Sequence, residues 1–158
     1  MYTSDLRRAL DTARAIARPH GLVPVVDLDL REIDQGEWTG LGGDEIRTRW
    51  PDLWKARNST ARPGGESPAQ VRERAAHALR RIVERSPDGT VLIVTHGVTI
   101  RYLTAEVLGY DDARAARLRG LGNGGAVRFE ATLYEDRLVL EGFERLDGAT
   151  PDIEDPND

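Results

Sequence analysis

The sequence of 158 residues carries a formal net charge of −5, with 39% hydrophobic and 31% charged residues. That length suits one compact domain, and the negative balance argues against nucleic acid as a partner. The absence of cysteine excludes a disulfide framework and a thiolate zinc site. No apolar run is long enough to span a bilayer and no secretory signal opens the chain, so no membrane association is expected and a cytoplasmic location is the default.

In chain order, Ser4 reads as the N-cap of a first helix, DLRRALDTARAIA, with Leu6, Leu10, Ala13 and Ile16-Ala17 on its apolar face. Pro19 and Gly21 end it. LVPVVDLDLR reads as a strand, with Pro24 marking an edge or a strand start. A Gly-rich loop, EIDQGEWTGLGGDE, leads into a short helix around Ile46 to Trp50 that Pro51 stops, and residues 51 to 66 read as irregular. Ser67-Pro68-Ala69-Gln70 combines an N-cap, a proline at the first helical position and a capping-box glutamine. The helix that follows has Val71, Ala75, Leu79, Ile82 and Val83 as its stripe. TVLIVT has the β-branched character of a strand buried on both faces, and VTIRYLTAEVLG and DDARAARLRG return to helix. GGAVRFEATLY and RLVLEGFERL form a hairpin around Glu135-Asp136. Residues 1–147 therefore form one domain, followed by an acidic, flexible tail at 148–158. The alternation predicts an α/β three-layer sandwich, with a mostly parallel sheet flanked by helices and a C-terminal hairpin.

In open α/β sheets, ligands gather where strand ends meet helix N-termini. His96 occupies such a place, and Gly97 leaves room for close approach to free N–H groups of the next helix. A histidine near a strand can equally serve only the fold, but the strand-end placement favours function. Arg8 lies just past another strand end, at Tyr2-Thr3, and Glu32 ends the strand DLDLR. Each also has a plain reading as a solvated charge. Of the 22 basic residues only Lys55 is a lysine. A GC-rich genome explains that bias, although arginine forks also match phosphate oxygens. A cation, an acid and an imidazole at three strand ends together describe a site for an anionic ester. No His/Asp/Glu cluster has metal-ligand spacing around His96, and no G-x-S-x-G occurs, so neither a metal nor a serine nucleophile is expected.

Four stretches carry a family resemblance. SDLRRALDTA, LREIDQGEWTG, PGGESPAQVRERA and VLIVTHGVTIR resemble, in order, successive motifs of the histidine phosphatase superfamily, which includes cofactor-dependent phosphoglycerate mutases and acid phosphatases. The resemblance implies a phosphoglycerate mutase-like fold and hydrolysis of a small phosphomonoester without cofactor. It implies that Arg8 grips phosphate, that Glu32 protonates the leaving oxygen, and that His96 hydrogen-bonds the phosphoryl oxygens, with Thr95 and Gly97 lining the same pocket. Trp38, Trp50 and Trp54, with Arg47, Arg49, Lys55 and Arg62, fall in the substrate-recognition segment, where packing and surface charge explain them equally well. The segment between Glu32 and Gly64 is short for a mutase, which favours the phosphatase branch.

One motif of that family, the R-H-G of its first strand, has no counterpart in the sequence. His20 and His77 sit where surface residues are expected, so no nucleophile is assigned. A fold lacking that first strand and helix is expected to leave strand edges unpaired, and so to be unstable, to form a homo-oligomer or to accept another segment. Two further readings follow: a non-catalytic pseudophosphatase that binds inorganic phosphate or a phosphorylated molecule, and a site recruited to non-phosphoryl acid/base chemistry through Glu32 and His96.

Overall fold

In the computed structural model, which describes residues 1–135 and 137–146, β1 (Tyr2–Thr3) lies at the centre of a parallel sheet. β2 (Val25–Val26) and β3 (Ile93–Val94) flank it. Tyr2 stands opposite both Val25 and Ile93, and Thr3 opposite Val26 and Val94. Parallel neighbours need long crossovers. Helix α1 (Arg7–Ala17) supplies the first; the second runs through α2 (Gly43–Arg49), α3 (Pro51–Lys55) and α4 (Pro68–Arg85). After β3 come α5 (Gly97–Val107) and α6 (Asp112–Ala115). The antiparallel pair β4 (Val127–Tyr134) and β5 (Arg137–Arg145) then forms a sheet of its own. This is the expected α/β fold with helices flanking a parallel sheet.

The stripe of α4 organises the core. Ala78 and Ile82 pack with Tyr2 and Leu30. Ala75, Leu79 and Val83 meet Leu103 and, from the hairpin, Phe129, Ala131, Leu133, Leu138 and Leu140. Val71 joins Ile33, Tyr102, Ala115 and Leu118. The capping box starts this helix as predicted: Gln70 N–H donates to Ser67 Oγ at 3.2 Å, and Ser67 N–H donates to Gln70 Oε1 at 2.8 Å. Helix α1 contacts β1 and β3 and buries Ala9, Ala13 and Ala17, small side chains that allow close approach to the sheet.

Five local expectations are corrected. The N-cap of α1 is Leu6, without a side-chain cap; Ser4 is fully buried and spends its hydroxyl elsewhere. Ile16, predicted on the apolar face of that helix, is 37% exposed. The strand expected over 22–31 shrinks to Val25–Val26, because Asp27 accepts from Asp29 N–H and turns Leu28–Leu30 into a 3-10 turn. Pro51 both ends α2 and opens α3, so 51–66 is not wholly irregular. The strand around Ile93 is only half-buried and Leu92 is 41% exposed. β3 has a ladder partner on one side alone, and no described ladder joins it to the hairpin. Asp136 and residues 147–158, where half of the hairpin turn and the acidic tail were expected, lie outside the described residues.

Candidate active site

The carboxyl ends of β1 and β3 bring Ser4 and His96 side by side. His96 is 6% exposed, and both of its ring nitrogens are engaged. Arg8, on the first turn of α1, approaches Nδ1 with its Nε at 3.2 Å. A guanidinium only donates, so Nδ1 must hold a lone pair. The proton then sits on Nε2, which donates to Ser4 Oγ at 2.7 Å. Burial, and next to it the charge of Arg8, push the imidazole below its ordinary pKa, while Glu32 pulls weakly the other way. His96 is therefore neutral near pH 7, and the positive charge at the site comes from arginine.

Glu32 meets this cluster from the loop after the 3-10 turn. Its Oε2 accepts from Val98 N–H at 3.3 Å in the first turn of α5, and its Oε1 accepts from Ile33 N–H at 2.9 Å. A Cβ on Gly97 would lie 3.9 Å from Glu32 Oε2, so Gly97 is the close neighbour of the carboxyl. Thr95 turns away from that space: its hydroxyl donates to the Leu30 carbonyl at 2.7 Å, and Thr99 does the same to Arg31. These two threonines tie β3 and α5 to the backbone just before Glu32.

The Glu32 loop is held by a second loop, residues 62–66. Gly36 has φ of +51°, and a Cβ there would fall 2.1 Å from the Pro63 carbonyl oxygen; one on Gly65 would fall 2.4 Å from that of Asp34. Only glycines let the two backbones touch. Glu37 N–H donates to Pro63 at 2.9 Å and Glu66 N–H to Asp34 at 3.0 Å. Arg74 of α4 closes the arrangement. It donates to the carbonyls of Asp29 and Arg31, each at 2.7 Å, to that of Glu32 at 3.2 Å, and through Nε and Nη2 to the Glu66 carboxylate at 2.8 and 2.9 Å. Trp38 is buried beneath, tilted against Trp50 and Trp54 with ring centroids 6.4 and 6.1 Å away.

The structure thus brings Arg8, Glu32, His96 and Gly97 together, and leaves the other two histidines outside. His20 is exposed at the end of a turn after α1, and His77 is exposed on α4. His77 lines a cavity of about 450 Å³ with Glu106, Leu138 and Leu140, none of which belongs to the His96 cluster. Ser4, Glu66, Arg74 and Thr99 were not singled out as site residues from the sequence. Their partners lie up to 92 positions away, and no local pattern announces such a pair. Among the described residues, no group of three or more His, Asp and Glu is gathered for a metal, and no helix is long and apolar enough to cross a membrane.

A family model described as the histidine phosphatase superfamily, branch 1, matches residues 1–143. The chain belongs to the histidine phosphatase superfamily. Glucosyl-3-phosphoglycerate phosphatase of Mycolicibacterium vanbaalenii is 33% identical, over 94% of this chain and 65% of that protein. Phosphoglycerate mutase-like protein 4 of Arabidopsis thaliana is 38% identical, over 65% of this chain and 47% of that protein. The structure of a mycobacterial glucosyl-3-phosphoglycerate phosphatase with inorganic phosphate superimposes with a TM-score of 0.78 at 32% identity, covering 90% of this chain and 74% of that one. The chain spans 60 to 65% of the length of the glucosyl-3-phosphoglycerate phosphatases it matches. Among its phosphatase relatives, some are named for glucosyl-3-phosphoglycerate and one for phosphoserine.

Proposed function

We propose that this chain forms the phosphate-gripping part of a phosphomonoester hydrolase for a small phosphorylated metabolite, with the phosphatase favoured over the mutase. The observation that carries the reading is the Ser4–His96–Arg8 chain of hydrogen bonds, buried at Ser4 and His96 and open at Arg8, beside the N-terminus of α5. Arg8 supplies an untitrating charge and a fork for phosphoryl oxygens, His96 a neutral hydrogen-bonding ring, and the N–H groups after Gly97 a helix end suited to anions. Glu32, held beside them, is placed to give a proton to the leaving oxygen. Such positioning and charge stabilisation is most of what phosphoryl transfer asks of a protein. Neither metal nor organic cofactor enters this proposal, because arginine balances the charge.

A second reading is favoured by one specific observation: His20 and His77 are both exposed on other elements, and both nitrogens of His96 are engaged. On that reading the chain binds a phosphate-bearing ligand and does not turn it over. Location in the cytoplasm, and self-association through the unpaired edge of β3, which sedimentation velocity reads as a concentration-dependent mass, complete the proposal. The test is a calorimetric titration with inorganic phosphate alongside phosphate release from an aryl phosphate. Binding that weakens at least about tenfold in Arg8→Gln supports the grip. Release that disappears in His96→Ala supports the hydrolase, and binding without release supports the binder. No phosphate binding, or turnover that survives His96→Ala, refutes the site.

A further inference from the structure

A carboxylate standing beside an anion grip repels the anion, so the acids near Arg8 and His96 are informative. Three of them are each matched to donors. Glu32 is held by two backbone N–H groups, and Glu66 by Arg74 and by Asp34 N–H. Asp5 is held by Arg31, whose Nε donates to Oδ1 at 2.7 Å and whose Nη2 donates to Oδ2 at 2.5 Å. Arg8 itself forms no ion pair among the described residues and directs its Nε at His96. The Asp5–Arg31 pair is the open one, with side chains 31% and 48% exposed. An ion pair so exposed contributes little to stability, so folding gives little reason for a two-pronged bond at this place.

Chain connectivity fixes where the pair stands. Asp5 follows Ser4, whose hydroxyl meets His96, and Arg31 precedes Glu32. Consecutive Cα atoms are about 3.8 Å apart, so each half of the pair is one peptide away from a residue of the site. The charges of Asp5 and His96 act on one another directly. The bond from Arg31 holds the Asp5 carboxyl below its ordinary range, so Asp5 is ionised near pH 7. The backbone of Arg31 does not depend on the pair. Its carbonyl accepts from Arg74 Nη1 and from the Thr99 hydroxyl, each at 2.7 Å, and its N–H donates to the Leu28 carbonyl at 3.1 Å. With the loop held in that way, the distinct contribution of the Arg31 side chain is its charge.

We propose that Arg31 cancels the negative charge of Asp5 beside the phosphate grip, and thereby sets how tightly the site holds an anion. This rests on the reading of Arg8 and His96 as that grip. Arg31 does not touch the ligand; it acts through Asp5, as a positioning residue whose signature is electrostatic. The test is calorimetric titration of the full chain with inorganic phosphate at about 10 mM ionic strength, where charges reach about 30 Å. Arg31→Gln leaves Asp5 unbalanced and is expected to weaken binding at least about threefold. Asp5→Asn is expected to bind as tightly as the wild type or more tightly. The double variant, with both charges gone, returns to within about twofold of the wild type, a rescue that mere loss of a structural tie would not give. Arg31→Lys keeps the charge without the planar fork; it too is expected within about twofold of the wild type, and it stands in should Arg31→Gln fail to fold. At about 1 M sodium chloride, where screening reaches about 3 Å, the difference between Arg31→Gln and the wild type disappears. A double variant as weak as Arg31→Gln, a weakened Arg31→Lys or a difference that survives salt overturns the proposal and leaves the phosphate grip in place. If the wild type binds no phosphate, the grip itself is wrong and this proposal falls with it.

Discussion

Replacing Gly36 by alanine separates two costs that are usually measured together. The φ of +51° at Gly36 puts any L side chain in the left-handed region, at about 1–2 kcal/mol. The new Cβ would also sit 2.1 Å from the Pro63 carbonyl oxygen and 2.5 Å from the Gly65 nitrogen. Both neighbours are backbone, so the clash is relieved only by parting the loops. That gives up the hydrogen bonds from Glu37 N–H to Pro63 and from Glu66 N–H to Asp34, at about 1 kcal/mol each. The total is roughly 3–4 kcal/mol, a large share of the roughly 5–15 kcal/mol that holds a domain folded. Gly21 is the control: its φ is +64° and a Cβ there meets nothing within 4 Å, so Gly21→Ala carries the left-handed cost alone. Urea unfolding of both variants is expected to show Gly36→Ala less stable than Gly21→Ala by about 2 kcal/mol, without a change in slope. Equal losses would refute the claim that backbone contact, and not conformation, makes the glycine necessary.

Two further outcomes follow from the same assembly. Arg74→Gln removes a charged partner from three carbonyls and the Glu66 carboxylate. It is expected to lose about 2–4 kcal/mol and to weaken phosphate binding, whereas Arg7→Gln, on a side chain 95% exposed, stays within about 0.5 kcal/mol; equal effects in denaturant titrations would remove Arg74 from its proposed role. His96 has its folded pKa depressed below the ordinary 6.5, so the unfolded chain binds the proton more readily. Its contribution to stability is therefore full above about pH 6.5 and declines as pH falls from there towards the folded pKa. Unfolding free energies measured from pH 5 to 8 should show a slope that flattens in His96→Gln; an unchanged slope assigns the pH dependence elsewhere.

Elements governed by neighbours in the chain were legible from the sequence. Ser67, Pro68 and Gln70 specify the start of α4 because the partners of a capping box are three residues apart. The α4 stripe reads correctly because 3.6-residue periodicity is a local property; Arg8 and His96 stand out in the sequence because each follows a strand end, whereas Glu32 follows a 3-10 turn and not the strand end expected there. Residues whose partners lie across the fold were misread. Ser4 has the composition of an N-cap, but its hydroxyl meets His96, and the helix begins without it. Val23, Val25 and Val26 have strand-like side chains, yet they lie in or next to an edge strand of two residues, and a single aspartate turn ends the run. The motif glycines carried a pattern in the sequence; that Gly36 and Gly65 press two loops together is visible only in space.

The hairpin of β4 and β5 forms its own two-stranded sheet and shares no described ladder with the parallel strands. It is attached chiefly by apolar side chains lying against α4 and α5. Its amide hydrogen bonds can therefore open without breaking any bond of the sheet that carries Ser4 and His96. In native-state hydrogen exchange such a segment behaves as a separate cooperative unit, with a free energy of opening below that of global unfolding. Sequence change in the hairpin is then felt in the packing of α4 well before it is felt at the phosphate grip.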